Sequence, residues 1–424
     1  MAQAQLRVLI AGASIAGPTA AYWFAKAGAK VTVIERFPHL RTNGQNVDIR
    51  TAGVSVMRKM LGMEAAVRAK TIPLEGLSFV RDDGRPYGTL RATGNPEQQS
   101  LVSEYEILRG DLARILFDMT KDLENVSYVF DEQIVSIQQH EREDGPVMVE
   151  FMSTLATAEY DLVVACDGSA SRTRSIGLGC AARDHIQPIN AWTAYFTVPR
   201  DLLNGSMVAQ SHSAPGGRTF FLASDPSGVT RVGVMCVLPG DNPEATEEFR
   251  KALKSGTEQL KTYVAVHYKG VGWKWDEIVP DMLNADDFYG SEIVQLKPPT
   301  LHKGRFVLVG NAGYAPGPTG GGTSLAMAGA YYLAGEISKH KDDLAAGLQG
   351  YEEKMRPLIK DLQTIPPLFP TAFAPQTAWG IWLRNMVFAL VCWARGSGIV
   401  QKFSGGSFGH ADQYKLPEYD WKLK

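Results

Sequence analysis

The chain has 424 residues, of which 45% are hydrophobic and 21% charged, as is typical of a globular protein with room for more than one domain. Its formal net charge of -2 and the lack of a basic stripe argue against a nucleic-acid-binding protein. The cysteines Cys166, Cys180, Cys236 and Cys392 are scattered without a C-x-x-C pair, so we expect a reducing compartment, no disulfide framework and no cysteine metal site. The first predicted strand begins near Leu6, which leaves no room for a signal peptide and favours the cytoplasm.

The first predicted elements are a strand, a glycine turn, a helix and a second strand that ends in an acid. They cover residues 8–11, 12–17, 15–27 and 31–35, and Glu35 follows Gly12 by 23 residues. This order is typical of a dinucleotide-binding βαβ unit. Glycines let the backbone approach a pyrophosphate, the helix N-terminus supplies N–H groups, and the acid accepts from ribose hydroxyls. The middle glycine of the pattern is Ser14 here, which is still small enough for close approach.

Downstream, short alternating patterns predict strands around one helix. Arg109 stands just before that helix, where a guanidinium can pair with a cofactor pyrophosphate. An arginine beside Asp111 at a helix start is also typical of a surface or capping pair. The predicted strands are 74–81, 86–90, 127–130, 134–137, 147–151 and 160–166, and the helix is 112–119.

From residue 191 to 237 the pattern changes to strands without intervening helices, at 191–198, 219–222 and 230–237. This predicts a mainly antiparallel sheet inserted into the α/β unit, followed by a helical stretch at 245–265. Candidates for contact with a planar ligand on this sheet are Tyr195, Phe220, Phe221 and Met235. Alternating aromatic residues on strands are also typical of a core, so no single one is assigned.

Two later strands each end in a turn that is suited to a cofactor. Asp167-Gly168 follows a buried strand, and Arg172 or Arg174 would then hold a phosphate or the loop itself. A strand at 305–310 leads into a Pro/Gly loop that opens a helix at 322–339, whose free N–H groups would face a flat, electron-rich ring. A further helix is predicted at 342–360.

Near the C-terminus, residues 377–394 are rich in Trp, Leu, Val and Phe, but Arg384 and Asn385 divide them. The uninterrupted apolar run, 386–394, is far shorter than the ~20 residues of a membrane span. We therefore expect a buried terminal helix. A peripheral contact with a membrane and a lid over an apolar substrate are the alternatives.

Together, the turn at 12–17, the Asp-Gly pair at 167–168 and Gly310-Asn311 resemble the motifs of class A, single-component FAD-dependent monooxygenases with the p-hydroxybenzoate hydroxylase fold. The resemblance covers essentially the whole chain and is strongest to the tetracycline-inactivating branch and its fungal secondary-metabolism relatives. It implies an α/β fold with a discontinuous Rossmann-like FAD-binding domain and an inserted, mainly antiparallel β-sheet substrate domain. The expected boundaries are 1–73, 101–180 and 296–365 for the first domain, 74–100 and 181–295 for the second, and 366–424 for a C-terminal helical segment.

The resemblance also implies roles for individual residues. Glu35 would bind the adenosine ribose, Arg109 the flavin pyrophosphate or ribityl chain, and Asp48 the FAD side of the site. Arg41 falls near an arginine linked to NADPH, and Asp167 belongs to a motif tied to both FAD and NADPH. Asn311 stands where the family has an aspartate; its amide oxygen can accept the same hydrogen bond without a charge. The full expected set is Gly12, Ser14, Ile15, Ala16, Gly17, Glu35, Arg36, Arg41, Asp48, Arg109, Asp167, Gly310, Asn311, Gly320, Gly321, Gly322 and Thr323.

The activity implied by the resemblance is an NAD(P)H-consuming insertion of one oxygen atom from O2 into an aromatic or polyketide-like small molecule, through a flavin C4a-hydroperoxide. Hydroxylation is the first expectation, with epoxidation and Baeyer–Villiger oxidation open because the oxidant is the same. No catalytic side chain and no metal is assigned, since the flavin carries the chemistry. The substrate, the choice between NADPH and NADH, and the oligomeric state stay open.

Two alternatives keep the fold but change the function. Asn311 and the short loop after it leave room for a flavin-dependent C=C reductase, and Asn311 with Ser14 for a redox-idle FAD-binding scaffold or non-redox cyclase. Halogenation is a minor alternative, because residues 273–280 look like the tryptophan motif of flavin-dependent halogenases but place Ile and Pro too late.

Overall fold

Two large sheets organise the residues that this computed structural model describes, which are 5–42, 44–95, 102–140, 145–153, 155–240, 244–341, 343–366, 372–396 and 414–422. In chain order the strands are β1 (Arg7–Ala11), β2 (Lys30–Glu35), β3 (Asn46–Asp48), β4 (Gly76–Val80), β5 (Pro86–Arg91), β6 (Glu106–Leu108), β7 (Val126–Phe130), β8 (Ile134–Gln138), β9 (Val147–Phe151), β10 (Ala158–Tyr160), β11 (Leu162–Ala165), β12 (Ile186–Val198), β13 (Val208–Ala214), β14 (Arg218–Ser224), β15 (Thr230–Val237), β16 (Tyr289–Leu296), β17 (His302–Lys303) and β18 (Phe306–Leu308). The helices are α1 (Ala16–Lys26), α2 (Ala52–Lys59), α3 (Met63–Arg68), α4 (Arg109–Asp118), α5 (Arg172–Leu178), α6 (Glu247–Ser255), α7 (Thr257–His267), α8 (Trp275–Asn284), α9 (Asn311–Tyr314), α10 (Gly322–Lys339), α11 (Leu344–Leu362) and α12 (Ala378–Gly396).

The first sheet has the strand order β17-β18-β11-β1-β2-β7 and is parallel except for β17 at its edge. Its central strands are apolar on both faces, as a parallel sheet covered on both sides requires. Val8 and Ile10 belong to one core together with helices α1, α2, α10 and α11. Leu9 and Ala11 point the other way, into a core shared with the small sheet β10-β9-β8.

The second sheet has the order β16-β12-β15-β14-β13-β4-β5 and is antiparallel except for the pairing of β13 with β4. Alternate residues of β12 face opposite sides, as in any strand. Trp192 and Phe196 pack into a core under helices α6 to α8. Thr193 and Tyr195 face the first sheet. The predicted α/β class with an inserted, mainly antiparallel sheet is confirmed.

Several predicted elements differ in detail from the observed ones. The helical stretch predicted at 245–265 is two helices, α6 and α7, because Gly256 between them adopts a positive φ of 113°. The single strand predicted at 160–166 is divided between β10 and β11. Strands β13 and β16 and helices α2 and α3 were missed, since polar or short patterns mark them only weakly. The predicted helix 322–339 coincides with α10.

The expectation of a buried helix at the C-terminus is wrong for α12. Trp379 is 68% and Trp393 67% exposed, whereas Asn385 is 3% exposed. The polar residues are buried because the second sheet offers them partners, which the sequence pattern does not reveal. Residues 414–422 form no helix and return to the first sheet, where Trp421 packs on Trp23. The remainder of the predicted C-terminal segment, 367–371, 397–413 and 423–424, lies outside the described residues.

Within the described part of the chain, no helix has the combination of length and apolar character that crossing a membrane needs.

Candidate functional site

A cleft of about 510 Å³ lies between the two large sheets. Gly12 and Asp167, at the carboxyl ends of strands β1 and β11, line one side. Tyr195 and Met235, on strands β12 and β15, line the other. The carboxyl edge of a parallel sheet is where open α/β proteins bind their ligands, so this cleft is the candidate active site.

The structure brings most of the predicted cofactor residues to this cleft. Those that line it are Gly12, Ser14, Ile15, Ala16, Glu35, Arg36, Arg41, Asp48, Arg109, Asp167, Asn311, Gly320, Gly322 and Thr323. Gly17, Gly310 and Gly321 lie behind its wall. A Cβ on Gly17 would lie 1.8 Å from the Gly12 carbonyl oxygen, and one on Gly310 would lie 3.0 Å from the Ala16 Cβ. These glycines permit close packing of the turn, and they do not face the cleft.

The first glycine turn leaves bare backbone beside the cleft. Gly12 has a φ of 110°, and a Cβ there would lie 2.7 Å from the Cys166 carbonyl oxygen, so a side chain is excluded. Helix α1 begins directly after the turn, and its N-cap, Ile15, offers no side-chain hydrogen bond. The first N–H groups of α1 are therefore available to an anion in the cleft.

Glu35 ends strand β2 and holds the glycine turn in shape. Its Oε2 accepts from the Ala13 N–H at 3.0 Å, and its Oε1 accepts from the Phe37 N–H at 3.3 Å. A carboxylate has about four lone-pair sites, so capacity remains for ribose hydroxyls on the cleft side.

Three arginines place positive charge around this end of the cleft. Arg109, at the start of α4, donates from Nη2 to the Ser14 Oγ at 2.9 Å and so reaches across to the glycine turn. The guanidinium carbons of Arg36 and Arg41 lie 4.9 and 4.3 Å from the centre of the Phe37 ring. Burial, followed by the charge of Arg109, lowers the pKa of Arg41. Clustered like charges of this kind suit a polyanionic ligand.

A pair of acids lies beneath the cleft, on the small sheet of β3 and β6. Asp48 faces the cleft and accepts from Arg50 Nε and Nη2 at 3.1 and 3.0 Å. Glu106 stands directly opposite Asp48 in the register and accepts from the Asn46 side chain at 2.8 Å. Burial and then the Asp48 charge raise the pKa of Glu106 to about 7. Sequence reasoning missed Glu106, because only the pairing of β3 with β6 brings it to the site.

The Asp167 turn is held by its own neighbours. Its carboxylate accepts from the Ser171 hydroxyl and, at 3.2 Å, from the Thr173 N–H, while burial raises its pKa. Arg174 is buried and donates to the carbonyls of Ser169, Ala182 and Ala312 at 2.9–3.0 Å. Of the two arginines named from the sequence, Arg174 thus holds the loop, and Arg172 lines the cleft.

The Pro/Gly loop after α9 is pinned from behind by two buried glutamines. Gln295 donates to the carbonyls of Pro316 and Gln363 at 3.1 and 2.5 Å, and Gln363 donates to those of Leu296 and Ala315 at 2.9 and 3.1 Å. No sequence motif marks either glutamine. Helix α10 follows without a side-chain cap, so its first N–H groups also face the cleft beside Asn311.

The opposite wall is built from side chains on the second sheet. The Tyr195 and Tyr289 rings stack at 5.6 Å with an interplanar angle of 17°, and the Tyr289 hydroxyl donates to the Gln45 side chain. Burial raises the pKa of both phenols, so both stay neutral hydrogen-bond donors. The other lining residues of this wall are Thr193, Met235, Ser291, Glu292, Ile293 and Val294.

The four residues of this sheet that the sequence suggested for ligand contact do not all lie on the same face. Tyr195 and Met235 line the cleft, and Phe221 lines a small adjoining pocket that Tyr195 also borders. Phe220 is 0% exposed and packs against Trp275 in the core on the other side. The idea that Phe220 contacts a ligand is therefore wrong, because a strand turns successive side chains to opposite faces.

A family model described as the FAD binding domain matches residues 5–364. Among sequence relatives, the FAD-dependent monooxygenase asL4 of Sarocladium schorii is 33% identical, and the monooxygenase CTB7 of Cercospora beticola is 32% identical; each alignment covers 99% of both chains. The solved structure of tetracycline destructase Tet(55) is similar with a TM-score of 0.75 and 27% identity, over 98% of this chain and 99% of that one. HpxO of Klebsiella pneumoniae, solved with FAD and uric acid, shares the fold with a TM-score of 0.68 and 20% identity, over 95% and 97% of the two chains.

Several sequence relatives carry a name that states an activity, and that activity is monooxygenation. This favours the oxygenase hypothesis over the C=C reductase and over the redox-idle scaffold or non-redox cyclase. Among the described residues, no group of His, Cys, Asp or Glu side chains is arranged to hold a metal ion.

Proposed function

Because this chain belongs to the FAD-binding domain family and is an FAD-dependent monooxygenase, we propose that it consumes NADPH or NADH and inserts one oxygen atom of O2 into an aromatic or polyketide-like small molecule. In the balanced reaction the nicotinamide loses a hydride and solvent supplies one proton; one oxygen atom of O2 enters the substrate, and the other leaves as water. Hydroxylation is the simplest outcome. The observation that carries the proposal is the cleft, in which an anion-binding backbone faces an aromatic wall.

The residues at this end of the cleft fit the ADP half of FAD. We assign the ribose to Glu35, and the pyrophosphate to Arg109 and the uncapped N-terminus of α1. The fit rests on the bare Gly12 backbone, which a Cβ would fill, and on the Arg109 guanidinium, whose hydrogen bond to Ser14 already aims it at the turn. Arg36 adds positive charge at the same end of the cleft.

The flavin half would lie against the Pro/Gly loop. Asn311 and Asp48 offer polar atoms to the ribityl chain, and Gly320, Gly322 and Thr323 leave room for a flat ring. The N-terminus of α10 carries partial positive charge, which stabilises negative charge on a ring placed there. When bound, FAD supplies hydride acceptance and oxygen activation.

The nicotinamide partner would use the charged groups that line the cleft beyond those assigned to FAD. Arg41 lies beside Glu35 and Arg36, and Asp167 sits at the carboxyl end of β11. We propose that Arg41 contacts the phosphates of NADPH or NADH, and that Asp167 supports the turn that both nucleotides approach.

The substrate would lie between the flavin position and the second sheet. Tyr195, Tyr289 and Met235 form an apolar wall that packs against a planar molecule and keeps water from the reacting atoms. In line with this arrangement, we propose that 1–73, 101–180 and 296–365 act as the cofactor domain, and 74–100 and 181–295 as the substrate domain.

The test is a visible spectrum of the FAD-loaded protein, recorded without oxygen while NADPH or NADH is added with a pool of phenolic ligands. We expect flavin absorbance to bleach faster with a ligand than without one. A product that contains label from 18O2 establishes the oxygenase. Reduction followed by substrate turnover without label would instead support the C=C reductase, and bound FAD that neither nucleotide reduces would support the redox-idle alternative.

A further inference from the structure

Two carboxyl groups face each other beside the cleft. Strand β3 pairs with β6 in antiparallel register, and Asp48 stands directly opposite Glu106. Directly opposed residues share one face of a sheet, with their Cβ atoms about 4.5–5.5 Å apart. Asp48 lines the cleft, whereas Glu106 lies behind it. Like charges in this position repel each other, so ionisation of one carboxyl group opposes ionisation of the other.

The cation beside this pair is held by Asp48. Arg50 donates from Nε and from Nη2 to the Asp48 Oδ2, at 3.1 and 3.0 Å. Its backbone is fixed by α10, since the uncharged Ser324 Oγ accepts from the Arg50 N–H at 3.1 Å and donates to the Arg50 carbonyl at 2.6 Å. Glu106 accepts instead from the neutral side-chain amide of Asn46, at 2.8 Å. Within the described residues, Glu106 therefore has a polar partner but no ion pair.

The charged groups that act on Glu106 come from one side. Asp48 and Arg50 act in opposite directions on the pKa of its carboxyl group, and burial adds to the effect of Asp48. On the other side of β6, Thr71 and Ile72 pair with the strand and carry no charge. If both acids were ionised, two negative charges would face the one positive charge of Arg50. With one proton bound, the three side chains are neutral together.

We propose that Glu106 is a positioning residue that holds one proton behind Asp48, and that binding of FAD in the cleft is coupled to uptake of a proton by the Glu106 carboxyl group. The inference rests on the proposed function, which places Asp48 beside the ribityl chain. Bound FAD adds the negative charge of its pyrophosphate and removes water from Asp48. Both changes favour the protonated form of a neighbouring carboxyl group. By linkage, the bound proton then strengthens the binding of FAD to the same degree.

The proton prepares Asp48 for an anionic cofactor. When Glu106 is neutral, the charge of Asp48 is balanced by Arg50, so these three side chains do not repel the ligand. Both donors of Arg50 go to Oδ2, which leaves the Asp48 Oδ1 to accept from a ligand hydroxyl. The pKa of Glu106 is about 7 in the ligand-free chain, so proton uptake is most visible at slightly alkaline pH.

The experiment is calorimetric titration of the flavin-free, full-length protein with FAD in two buffers that differ in their heat of ionisation. The difference between the two heats gives the number of protons taken up. For about a tenfold gain in the proton affinity of Glu106, we expect an uptake of about 0.4 proton per FAD at about pH 8. The same gain corresponds to about an eightfold rise in the Kd of FAD from about pH 6 to about pH 9.

Two variants identify the group that takes up the proton. Glu106→Gln replaces the protonated carboxyl group by a neutral amide of similar shape, so we expect no uptake and a Kd that hardly changes with pH. Asp48→Asn removes the charge that opposes ionisation of Glu106, so the pH of greatest uptake should move downward. Glu104→Gln is the matched control, because Glu104 accepts from the Gly94 N–H at 2.8 Å and does not line the cleft. It should keep the uptake and the pH dependence of the wild-type protein.

Three results would overturn the proposal. FAD that binds without proton uptake would contradict this inference alone and leave the proposed function standing. An uptake that is unchanged in Glu106→Gln would place the proton on another group, such as a histidine. If Glu106→Gln does not fold, an uptake with the same pH dependence in Asp48→Asn as in the wild-type protein would have the same meaning. FAD that binds at no pH would contradict the proposed function and this inference with it.

Discussion

The two walls of the cleft bind by different means. The wall on the first sheet presents bare backbone beside its charged side chains: the Gly12 turn, the uncapped N-termini of α1 and α10, and the Pro/Gly loop. The wall on the second sheet presents side chains, such as Tyr195, Tyr289 and Met235, at alternate strand positions. Backbone groups do not change with side-chain substitution, so the first wall suits an invariant cofactor. The second wall can be altered one residue at a time, which suits a substrate.

The largest effect on stability and on FAD binding is expected from a substitution that disturbs the backbone of the first wall. Gly17→Ala puts a Cβ 1.8 Å from the Gly12 carbonyl oxygen, so we expect a loss of about 3 kcal/mol in the free energy of unfolding and loss of bound FAD. Gly322→Ala is the control for stability alone, because its nearest neighbour would lie at 3.5 Å, in ordinary contact, while Gly322 itself lines the cleft. Denaturant unfolding and flavin absorbance measure both effects. Equal stability of the two variants would contradict the tight turn.

The next effect concerns the charged groups of the same wall. Arg109→Ala and Glu35→Ala should each raise the Kd of FAD about 10–100-fold, because each removes charge-assisted hydrogen bonds in a partly buried site. Arg114→Ala is the matched control, since Arg114 lies on the same helix, α4, but is exposed and does not line the cleft. Fluorescence titration with FAD gives the three constants. Full flavin occupancy in both site variants would show that the assignment is wrong.

Substitutions on the second wall should act on substrate and not on cofactor. Tyr195→Leu should lower kcat/KM about tenfold while the Kd of FAD stays the same, because it removes one ring of the stacked pair. Phe220→Leu is the matched control, because Phe220 lies on the same sheet but its side chain is in the core. It should lower Tm and leave KM unchanged. Steady-state NADPH oxidation with a turned-over substrate, together with thermal unfolding, separates the two outcomes.

The smallest expected effect is electrostatic and depends on pH. The pKa of Glu106 is raised to about 7, so between about pH 4.5 and 7 the folded protein keeps a proton that the unfolded chain has lost. The contribution of Glu106 to the free energy of unfolding is therefore fully present below about pH 4.5 and is lost as the pH rises through 7. Glu106→Gln should stabilise the protein by about 1 kcal/mol at pH 8 and hardly at pH 4.5. Asp111→Asn, at a half-buried helix start, is the control; a stabilisation that is equal at both pH values would contradict the raised pKa.

The motif-based part of the site was predictable because it is local. A turn with Gly12 at positive φ, followed at once by a helix, is specified by adjacent residues, and so is the Asp167 turn with its Ser171 cap. In the structure, fourteen of the residues expected from these motifs line one cleft. The second wall was harder to predict, because the pattern at 191–237 marks strands but not which face of the sheet lines the cleft.

Residues that act through distant pairing escaped sequence reasoning. Glu106 reaches Asp48 only through the β3–β6 register, and Gln295 and Gln363 meet behind the Pro/Gly loop from strand β16 and the end of α11. No spacing in the sequence predicts either contact, because each depends on how two segments that are remote in the chain pack together. The same reason explains the wrong expectation for α12.

By itself, the sequence determined the fold class, the glycine and Asp-Gly turns and the family, because each rests on backbone conformations and hydrophobic periods that are set within a few residues. Only the tertiary structure decided which side chains of the second sheet line the cleft, that Arg174 holds a loop, and that α12 turns a stripe of apolar side chains outward. Those outcomes depend on burial, and burial is defined by the packing of segments that are far apart in the chain.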